Sequence, residues 1–221
     1  MISVSKRTIE EYLESVGALE RLESPVRTSS LAQILEVSPA SVSEMLQRLS
    51  KKGLVDYTPY GGTTLTKDGR KCVSELTRRH RLWEVFLNRY LGIGWEDVYQ
   101  DACNLEHATS DLVTEKLSQF LGDPDSCPHG NPIPNKNHEL PEVSGAPLSE
   151  LEPGQVGKMT SVVSESNANF LHYLTGLGLI PGTKVKVLEK APFDGTLTIK
   201  INNTTKAIGP QAASLVMVEP C

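Results

Sequence analysis

The chain has 221 residues, of which 38% are hydrophobic and 22% charged. This balance is typical of a globular protein with one large domain or two to three small ones. Because no run of about 18 apolar residues occurs, we expect no membrane span and no membrane partner. The N-terminus lacks the charged-then-apolar pattern of a secretion signal, so we expect a cytoplasmic protein.

The net charge of −5 by itself argues against nucleic-acid binding, but the charge is unevenly distributed. Residues 1–75 carry equal numbers of basic and acidic side chains, whereas residues 76–140 carry six basic and ten acidic ones. Two interpretations stay open. The excess forms a solvated acidic helix face, which charge alone favours, or bound cations offset it and remove repulsion from DNA phosphates.

The cysteines are scattered, and none belongs to a CxxC pair. In a cytoplasmic chain this pattern is typical of reduced thiols rather than of a disulfide framework. At least one of the four is a candidate metal ligand. They are Cys72, Cys103, Cys127 and Cys221.

Two helices are predicted first. Apolar residues at helical spacing indicate one over 6–23, and a second runs to Leu35 with Thr28 or Ser29 as its expected N-cap. Ser38 and Pro39 then have the residue types of an N-cap and first helical position.

The helix that begins there ends at Lys51, Lys52 and Gly53, a cationic terminus with a glycine stop. Two short strands are predicted over 54–57 and 63–66, on either side of a turn. Helix, turn, helix and hairpin follow one another in the order of a winged helix.

The next segment, 67–121, is again helical, with an interruption at 92–94 and a single helix expected from Trp95 onward. Its apolar surface exceeds what one small domain needs, which favours a homodimer. Residues 122–153 hold seven of the fourteen prolines and form an irregular connector. Beyond them, alternating apolar and polar residues predict a small barrel of SH3-like size.

The predicted fold class is therefore a mainly α N-terminal part, with a winged helix-turn-helix and a helical dimerisation domain, followed by an all-β SH3-like small barrel. We expect the DNA-binding domain over 1–73 and the metal-binding and dimerisation domain over 74–140. A linker over 141–152 precedes the C-terminal domain over 153–221.

Three groups of side chains have the spacing of ligands on one helix face. Residues at i, i+3 and i+4 point in the same direction, so each group presents carboxylate, imidazole or thiolate together. Mixed oxygen, nitrogen and sulfur ligands suit Fe(II), Mn(II), Co(II) or Ni(II). An ordinary surface ion pair or helix surface is the alternative for the two simpler pairs. The groups are Cys103, Glu106 and His107; His80 and Glu84; and Glu11 and Glu14.

A catalytic interpretation is also open, because Cys103 and His107 lie one helical turn apart and resemble a thiol nucleophile with its base. Catalytic thiols normally sit at an exposed helix N-terminus or in a loop. Cys103 lies in the middle of a helical pattern with no glycine-rich oxyanion site near it. We therefore expect no enzyme and no small organic substrate, with a cysteine-dependent hydrolase as the alternative.

Several motifs together resemble the diphtheria toxin repressor and manganese-transport regulator family of bacterial metalloregulators, over nearly the whole chain. The last motif is also similar to small ferrous-transport accessory proteins, which leaves an iron-transport adaptor as a further alternative. The motifs are LEVSPASVSEMLQRLSKKGLV, HRLWEVFL, DACNLEHATSD, CPHGNPIP and LTGLGLIPGTKVKVLEKAPFDGTLTIKI.

The resemblance implies a repressor that binds operator DNA when metal fills its sites. It implies that Cys103, Glu106 and His107 bind the primary metal and that His80 and Glu84 bind the second one. Glu11 and Glu14 match an acidic pair of the manganese-type members, and Tyr99 replaces a histidine of the iron-type members. Glu165 and Asn169 lie where the C-terminal domain of iron-type members can add ligands, and we assign them no role here.

The metal that the resemblance favours is Mn(II), because a carboxylate at position 11 replaces the soft thioether of iron-type members. Fe(II) is the alternative. Co(II), Ni(II), Zn(II) and Cd(II) are possible substitutes.

The resemblance also implies how DNA is bound. The helix that begins near Ser38 enters the major groove, where its short side chains suit phosphate and thymine-methyl contacts. The partner is operator DNA with an inverted repeat, bound by a homodimer. Glu44 is unusual on this face and has no assigned role; a winged helix used for protein contact is the alternative. The implied DNA contacts are Ser38, Pro39, Ser41 and Ser43, with phosphate contacts from Arg27, Lys51 and Lys52.

Overall fold

The computed structural model describes residues 5–141 and 144–221, and the chain divides into two compact units. The first unit runs to Arg79 and includes Pro134–Glu139; the second comprises His80–Ile133 and Leu140–Cys221. Residues 1–4 of the predicted first domain and 142–143 of the predicted linker lie outside the described residues. Among the described helices, none combines the length and apolar character that crossing a membrane requires.

The first unit has the predicted winged-helix order. Its buried apolar residues, among them Val16, Leu31 and Leu46, come from one face of each helix and form one core. The two strands pair antiparallel, with Val55 opposite Leu65. The elements are α1 (Lys6–Glu20), α2 (Thr28–Ile34), α3 (Pro39–Lys51), β1 (Val55–Thr58), β2 (Gly62–Leu65) and the beginning of α4 (Lys67–Leu91).

Helix ends in this unit follow local chemistry. The hydroxyl of Ser38 accepts a hydrogen bond from the backbone N–H of Ser41, so α3 has the predicted cap. At its other end Gly53 has φ +72°, a conformation that glycine adopts without strain. The cap predicted for α2 is wrong, because Thr28 is already helical and Arg27 occupies the N-cap position without a side-chain hydrogen bond.

The second unit begins within α4 and continues with α5 (Val98–Glu106) and α6 (Asp111–Leu121). The sequence predicts one helix from Trp95 to Leu121, whereas the structure starts it at Val98 and divides it after Glu106. The physical reason is Ser110, whose hydroxyl accepts from the N–H of Val113 and so caps a new helix.

The C-terminal segment forms a six-stranded antiparallel sheet in the order β3-β8-β4-β5-β6-β7. The predicted fold class is confirmed. The sheet also carries two short helices that the alternation of apolar residues does not reveal, α7 (Ala168–Leu177) and α8 (Pro210–Ser214). The strands are β3 (Ala146–Pro147), β4 (Val156–Val162), β5 (Lys184–Lys190), β6 (Leu197–Ile201), β7 (Thr204–Ile208) and β8 (Val216–Pro220).

Candidate metal centre and DNA-binding surface

Helices α4 and α5 bring four of the predicted ligands together. His80 and Glu84 lie one turn apart on α4, and Cys103 and Glu106 lie on α5. The Nδ1 of His80 is 2.7 Å from Oε2 of Glu106, and its Nε2 is 3.1 Å from Oε1 of Glu84. His80, Glu84 and Glu106 are buried. One imidazole therefore links a carboxylate of α5 to a carboxylate of α4.

A first cluster of candidate ligands consists of His80, Cys103 and Glu106, whose ligand atoms lie within 4.8 Å of one another. His107 follows as the C-cap of α5, with its Nε2 3.4 Å from Oε1 of Glu106. The ring of Tyr99 packs against His80, with the centroids 4.8 Å apart. The first cluster therefore combines a buried imidazole, a buried carboxylate and a half-buried thiol.

A second cluster joins Glu84 to Cys127, His129 and Glu165, again with ligand atoms within 4.8 Å of one another. His129 Nδ1 is 3.1 Å from Oε1 of Glu84 and 3.8 Å from the sulfur of Cys127. The sequence did not assign Cys127 or His129 to a site. The available signals were the Cys-x-His spacing in CPHGNPIP, a motif of the family resemblance, and the place of Cys127 among the candidate thiol ligands; the proline content indicated an irregular connector there.

The backbone of this connector is fixed against β4. Gly130 has φ +81°, and a Cβ at this position would lie 1.8 Å from the carbonyl oxygen of Thr160. Only glycine allows so close an approach. The amide nitrogen of Asn131 donates to the carbonyl of Val162 and to the carboxylate of Glu165. The connector therefore holds Cys127, His129 and Glu165 in fixed positions.

The electrostatics of the two clusters are coupled. Burial disfavours the charged form of His80, but hydrogen bonds with Cys103, Glu106 and Glu84 outweigh it and raise the pKa of His80 well above its usual value. Burial likewise opposes ionisation of Glu84, but hydrogen bonds from His129 and His80 hold the pKa of Glu84 well below its usual range. Without metal, a carboxylate held in its charged form therefore lies beside two imidazoles whose protonated form it stabilises.

The thiol and the second imidazole of this network respond differently to burial. Burial, with the negative charge of Glu84, raises the pKa of Cys127 well above its usual value. Burial disfavours the charged form of His129, but the hydrogen bond with Glu84 outweighs it and raises its pKa. Metal bound here would have to displace protons from both side chains.

Two observations show that the second cluster suits a divalent cation. Oε2 of Glu84 is buried without a hydrogen-bond partner, although a buried carboxylate oxygen normally has one. The Nε2 of His129 lies 2.6 Å from the carbonyl oxygen of Trp95 and donates to it, which leaves Nδ1 to face the cluster. Metal-binding histidines are normally held by such a bond from the other ring nitrogen.

The remaining predicted ligands, Glu11 and Glu14, lie on α1 in the first unit. Glu11 forms an ion pair with Arg7, with Nε and Oε1 2.8 Å apart, and its side chain is 41% exposed. Glu14 is half-buried. Their assignment to metal stays a prediction.

The predicted DNA contacts lie in the first unit, around α3. Ser38, Pro39, Ser41, Lys51 and Lys52 are exposed, and Ser43 is half-buried. Arg27 is exposed beside Glu23, at 3.7 Å. Glu44 pairs with Arg48 at 2.5 Å along the helix, so its charge is offset locally.

An open groove of about 780 Å³ runs along the N-terminal end of α2, one face of α3 and the β1–β2 hairpin. Three of the predicted DNA contacts line this groove, namely Arg27, Pro39 and Ser43. Gln47 and Tyr60 also line it, and Tyr60 is fully exposed at the tip of the hairpin. The sequence did not assign these two residues a role.

Three family models match the chain one after another. The iron dependent repressor N-terminal DNA binding domain matches residues 6–63. The iron dependent repressor metal binding and dimerisation domain matches residues 66–135. The FeoA domain matches residues 146–220.

Similar proteins and structures cover almost the whole chain. The iron-dependent repressor IdeR of Mycobacterium leprae (strain TN) is 30% identical over 224 residues, which cover 96% of each chain. A manganese-dependent transcriptional repressor in complex with manganese is 30% identical with a TM-score of 0.86, covering 96% of this chain and all of that one. The structure of ScaR with bound Cd²⁺ is 32% identical with a TM-score of 0.83, and the match covers 96% of this chain and 99% of that one.

The order of domains, the buried ligand clusters and these matches agree, so the chain belongs to the diphtheria toxin repressor and iron-dependent repressor family and is a metal-dependent transcription repressor.

Proposed function

We propose that this repressor is activated when divalent metal fills two buried sites. The first is formed by His80, Cys103 and Glu106, with His107 beside them. The resemblance assigns His80 to the second metal, but this proposal counts it in the first site because its ligand atom lies within 4.8 Å of those of Cys103 and Glu106. The second is formed by Glu84, Cys127, His129 and Glu165. The observation that carries the proposal is that mostly buried carboxylates, imidazoles and thiols converge while the buried Oε2 of Glu84 has no hydrogen-bond partner. A bound cation would supply positive charge that satisfies these carboxylates.

The metal is Mn(II) or Fe(II) in this proposal, and the sequence argument from Glu11 and Tyr99 favours manganese. A second candidate, iron, is favoured by a specific observation: a thiol lies in each cluster, Cys103 in the first and Cys127 in the second. Thiolates bind Fe(II), Co(II) and Zn(II) more strongly than Mn(II). Relatives named for iron and for manganese are both similar to this chain.

We further propose that Glu11 and Glu14 contribute to metal binding, on the basis of their i, i+3 spacing and of the acidic pair that they match in manganese-type members. The chain would act in the cytoplasm, where operator DNA lies, and would catalyse no reaction. Its partner would be a second copy of itself on an inverted-repeat operator, because a twofold dimer matches half-sites about 34 Å apart.

In this DNA complex Ser38, Pro39, Ser41 and Ser43 of α3 would face the major groove. Arg27, Lys51 and Lys52 would contact phosphates, because they are exposed cations around that helix. Each phosphate contact that is removed should lower the slope of log affinity against log salt by about 0.9.

The decisive experiment measures DNA binding across a metal panel without oxygen. Duplexes are first selected from a random pool in the presence of Mn(II), and affinity is then titrated with Mn(II), Fe(II), Co(II) and Zn(II). Cys103→Glu should shift activation toward Mn(II), and Glu11→Met should shift it toward Fe(II) or Co(II), because ligand hardness changes. Equal affinity in chelator and in metal would overturn the proposed activation.

The two variants test the metal-selecting role separately. If neither alters the ratio of the Mn(II) and Fe(II) midpoints, the side chains at 11 and 103 do not select the metal. Cys72→Ser is a matched control, because this thiol lies in neither cluster.

A further inference from the structure

Trp95 links the second cluster to the C-terminal sheet through two different groups. Its backbone carbonyl accepts a hydrogen bond from Nε2 of His129 at 2.6 Å. Its indole is buried in the apolar core of the C-terminal sheet, beside residues such as Leu171 and Leu174. The indole Nε1–H donates to the hydroxyl of Thr175 on α7 at 2.8 Å. All of these groups belong to the second unit.

The carbonyl of Trp95 determines which nitrogen of His129 is available to a ligand. A carbonyl can only accept, so the nitrogen that faces it must carry a proton. A neutral His129 therefore has its proton on Nε2 and its lone pair on Nδ1, toward Glu84 and Cys127. The opposite tautomer would lose the bond to Trp95 and turn an N–H toward the cluster.

The position of that carbonyl depends on where the indole is seated. Trp95 lies in the short segment between α4 and α5, where no regular helix or strand fixes the backbone. The buried ring and the bond to Thr175 anchor it instead. Burial of an indole with its N–H paired is a strong local constraint. The packing of the C-terminal sheet thus fixes the position of Trp95, and the carbonyl of Trp95 in turn orients the imidazole of His129.

We propose that Trp95 is a positioning residue for the second metal site. Its indole is buried in the core of the C-terminal domain, and its backbone carbonyl accepts the hydrogen bond that orients His129. This inference rests on the proposed function of the second cluster. It implies that metal affinity at this site depends on the packing of the C-terminal core, and by linkage that metal stabilises this packing in return.

The test uses Co(II), because a thiolate bound to Co(II) absorbs in the near ultraviolet. In a Cys103→Ser background the absorption reports Cys127 and hence the second site. In a Cys127→Ser background it reports the first site. Calorimetric titration of the same full-length proteins gives the number of ions bound. This arrangement measures each site separately and needs no DNA.

In the Cys103→Ser background, Trp95→Phe keeps most of the apolar ring but removes the N–H. The second-site dissociation constant for Co(II) should rise about tenfold, the lower end of what loss of an outer-shell partner costs. Thr175→Val removes the same hydrogen bond from the other side and should weaken binding in the same direction. The two changes together should be less than additive, because they break one bond.

Trp83→Phe is the matched control, since the Trp83 indole also donates to a threonine hydroxyl, that of Thr109, at 2.7 Å. It should change the second-site dissociation constant for Co(II) by no more than about twofold from the value of the Cys103→Ser protein. Three results would each overturn the positioning role. Trp83→Phe and Trp95→Phe could weaken Co(II) binding at the second site equally, or Trp95→Phe could weaken Co(II) binding equally at both sites. The third is that Trp95→Phe leaves the second-site affinity for Co(II) unchanged. If the Cys103→Ser protein itself binds no Co(II) through Cys127, the proposed second site fails, and this inference with it.

Discussion

At the scale of single residues, Glu84 is the carboxylate that contacts two buried imidazoles. It is fully buried, and its carboxylate lies 3.1 Å from His80 and 3.1 Å from His129. We predict that Glu84→Gln lowers the free energy of unfolding of the metal-free protein by about 3–5 kcal/mol, because it removes the carboxylate charge that two buried imidazoles share. Urea unfolding in chelator measures this.

The matched control for that variant is Glu219→Gln, which makes the same chemical change on an exposed strand position. It should alter stability by less than about 0.5 kcal/mol. A Glu84→Gln protein as stable as this control would show that the carboxylate and the imidazoles are not paired as described.

The pH dependence of the metal-free protein follows from the same residues. The pKa values of His80 and His129 are raised on folding, so their stabilisation is fully present below about pH 6.5 and is lost as the pH rises through the folded values. The pKa of Glu84 is lowered, so its stabilisation is present above about pH 4.3 and is lost on acidification. We predict maximal stability between these two limits, measured by thermal unfolding in chelator. Stability that rises steadily from pH 6 to 9 would contradict this.

Metal binding should reverse the protonation of these groups. A metal ligand must give up its proton, and burial raises the pKa of Cys127 further above its usual value. We predict that Co(II) affinity increases with pH and that binding releases protons. Calorimetric titration in two buffers with different ionisation enthalpies measures the number released; identical heats in both buffers would count against the protonated network.

At the scale of secondary-structure elements, the cap of α3 should matter measurably. The hydroxyl of Ser38 accepts from the N–H of Ser41 at 3.1 Å. We predict that Ser38→Ala destabilises the protein by about 1 kcal/mol, because a backbone N–H in the first turn of α3 loses its side-chain acceptor. Ser41→Ala removes a neighbouring hydroxyl without removing the cap and should cost less. Chemical unfolding of both variants gives the comparison, and equal losses would assign the effect to the hydroxyl pair instead of the cap.

At the scale of the whole molecule, an exposed aromatic patch on the second unit favours self-association. Phe86, Tyr90 and Phe120 form ring contacts with centroids 5.0–6.3 Å apart, and Tyr90 and Phe120 remain largely exposed. We predict that Phe120→Asp shifts the protein from dimer to monomer, because a buried charge without a partner is costly. Sedimentation velocity at micromolar concentration measures this.

Leu22→Asp is the control for that experiment, since the side chain of Leu22 is more exposed than that of Phe120 and lies in the first unit. It should leave the sedimentation coefficient unchanged. A Phe120→Asp protein that remains dimeric, or a wild-type protein that is monomeric, would remove this patch from the interface.

The sequence by itself determined the elements that local chemistry specifies. The Ser38–Pro39 start and the Gly53 stop of α3 depend on capping and on backbone conformation, which a few neighbouring residues decide. The i, i+3 and i+4 spacing of His80, Glu84, Cys103 and Glu106 likewise predicts which side chains share a helix face.

Only the tertiary structure decided how these faces are used. It divided the predicted helix at Ser110, and it brought Cys127, His129 and Glu165 from irregular segments to Glu84. Those residues have no common period along the chain, because an irregular backbone directs each side chain separately. The contacts that join them depend on the close approach of Gly130 to β4 and on the seating of Trp95 in the C-terminal core, and such long-range packing has no local signal in the sequence.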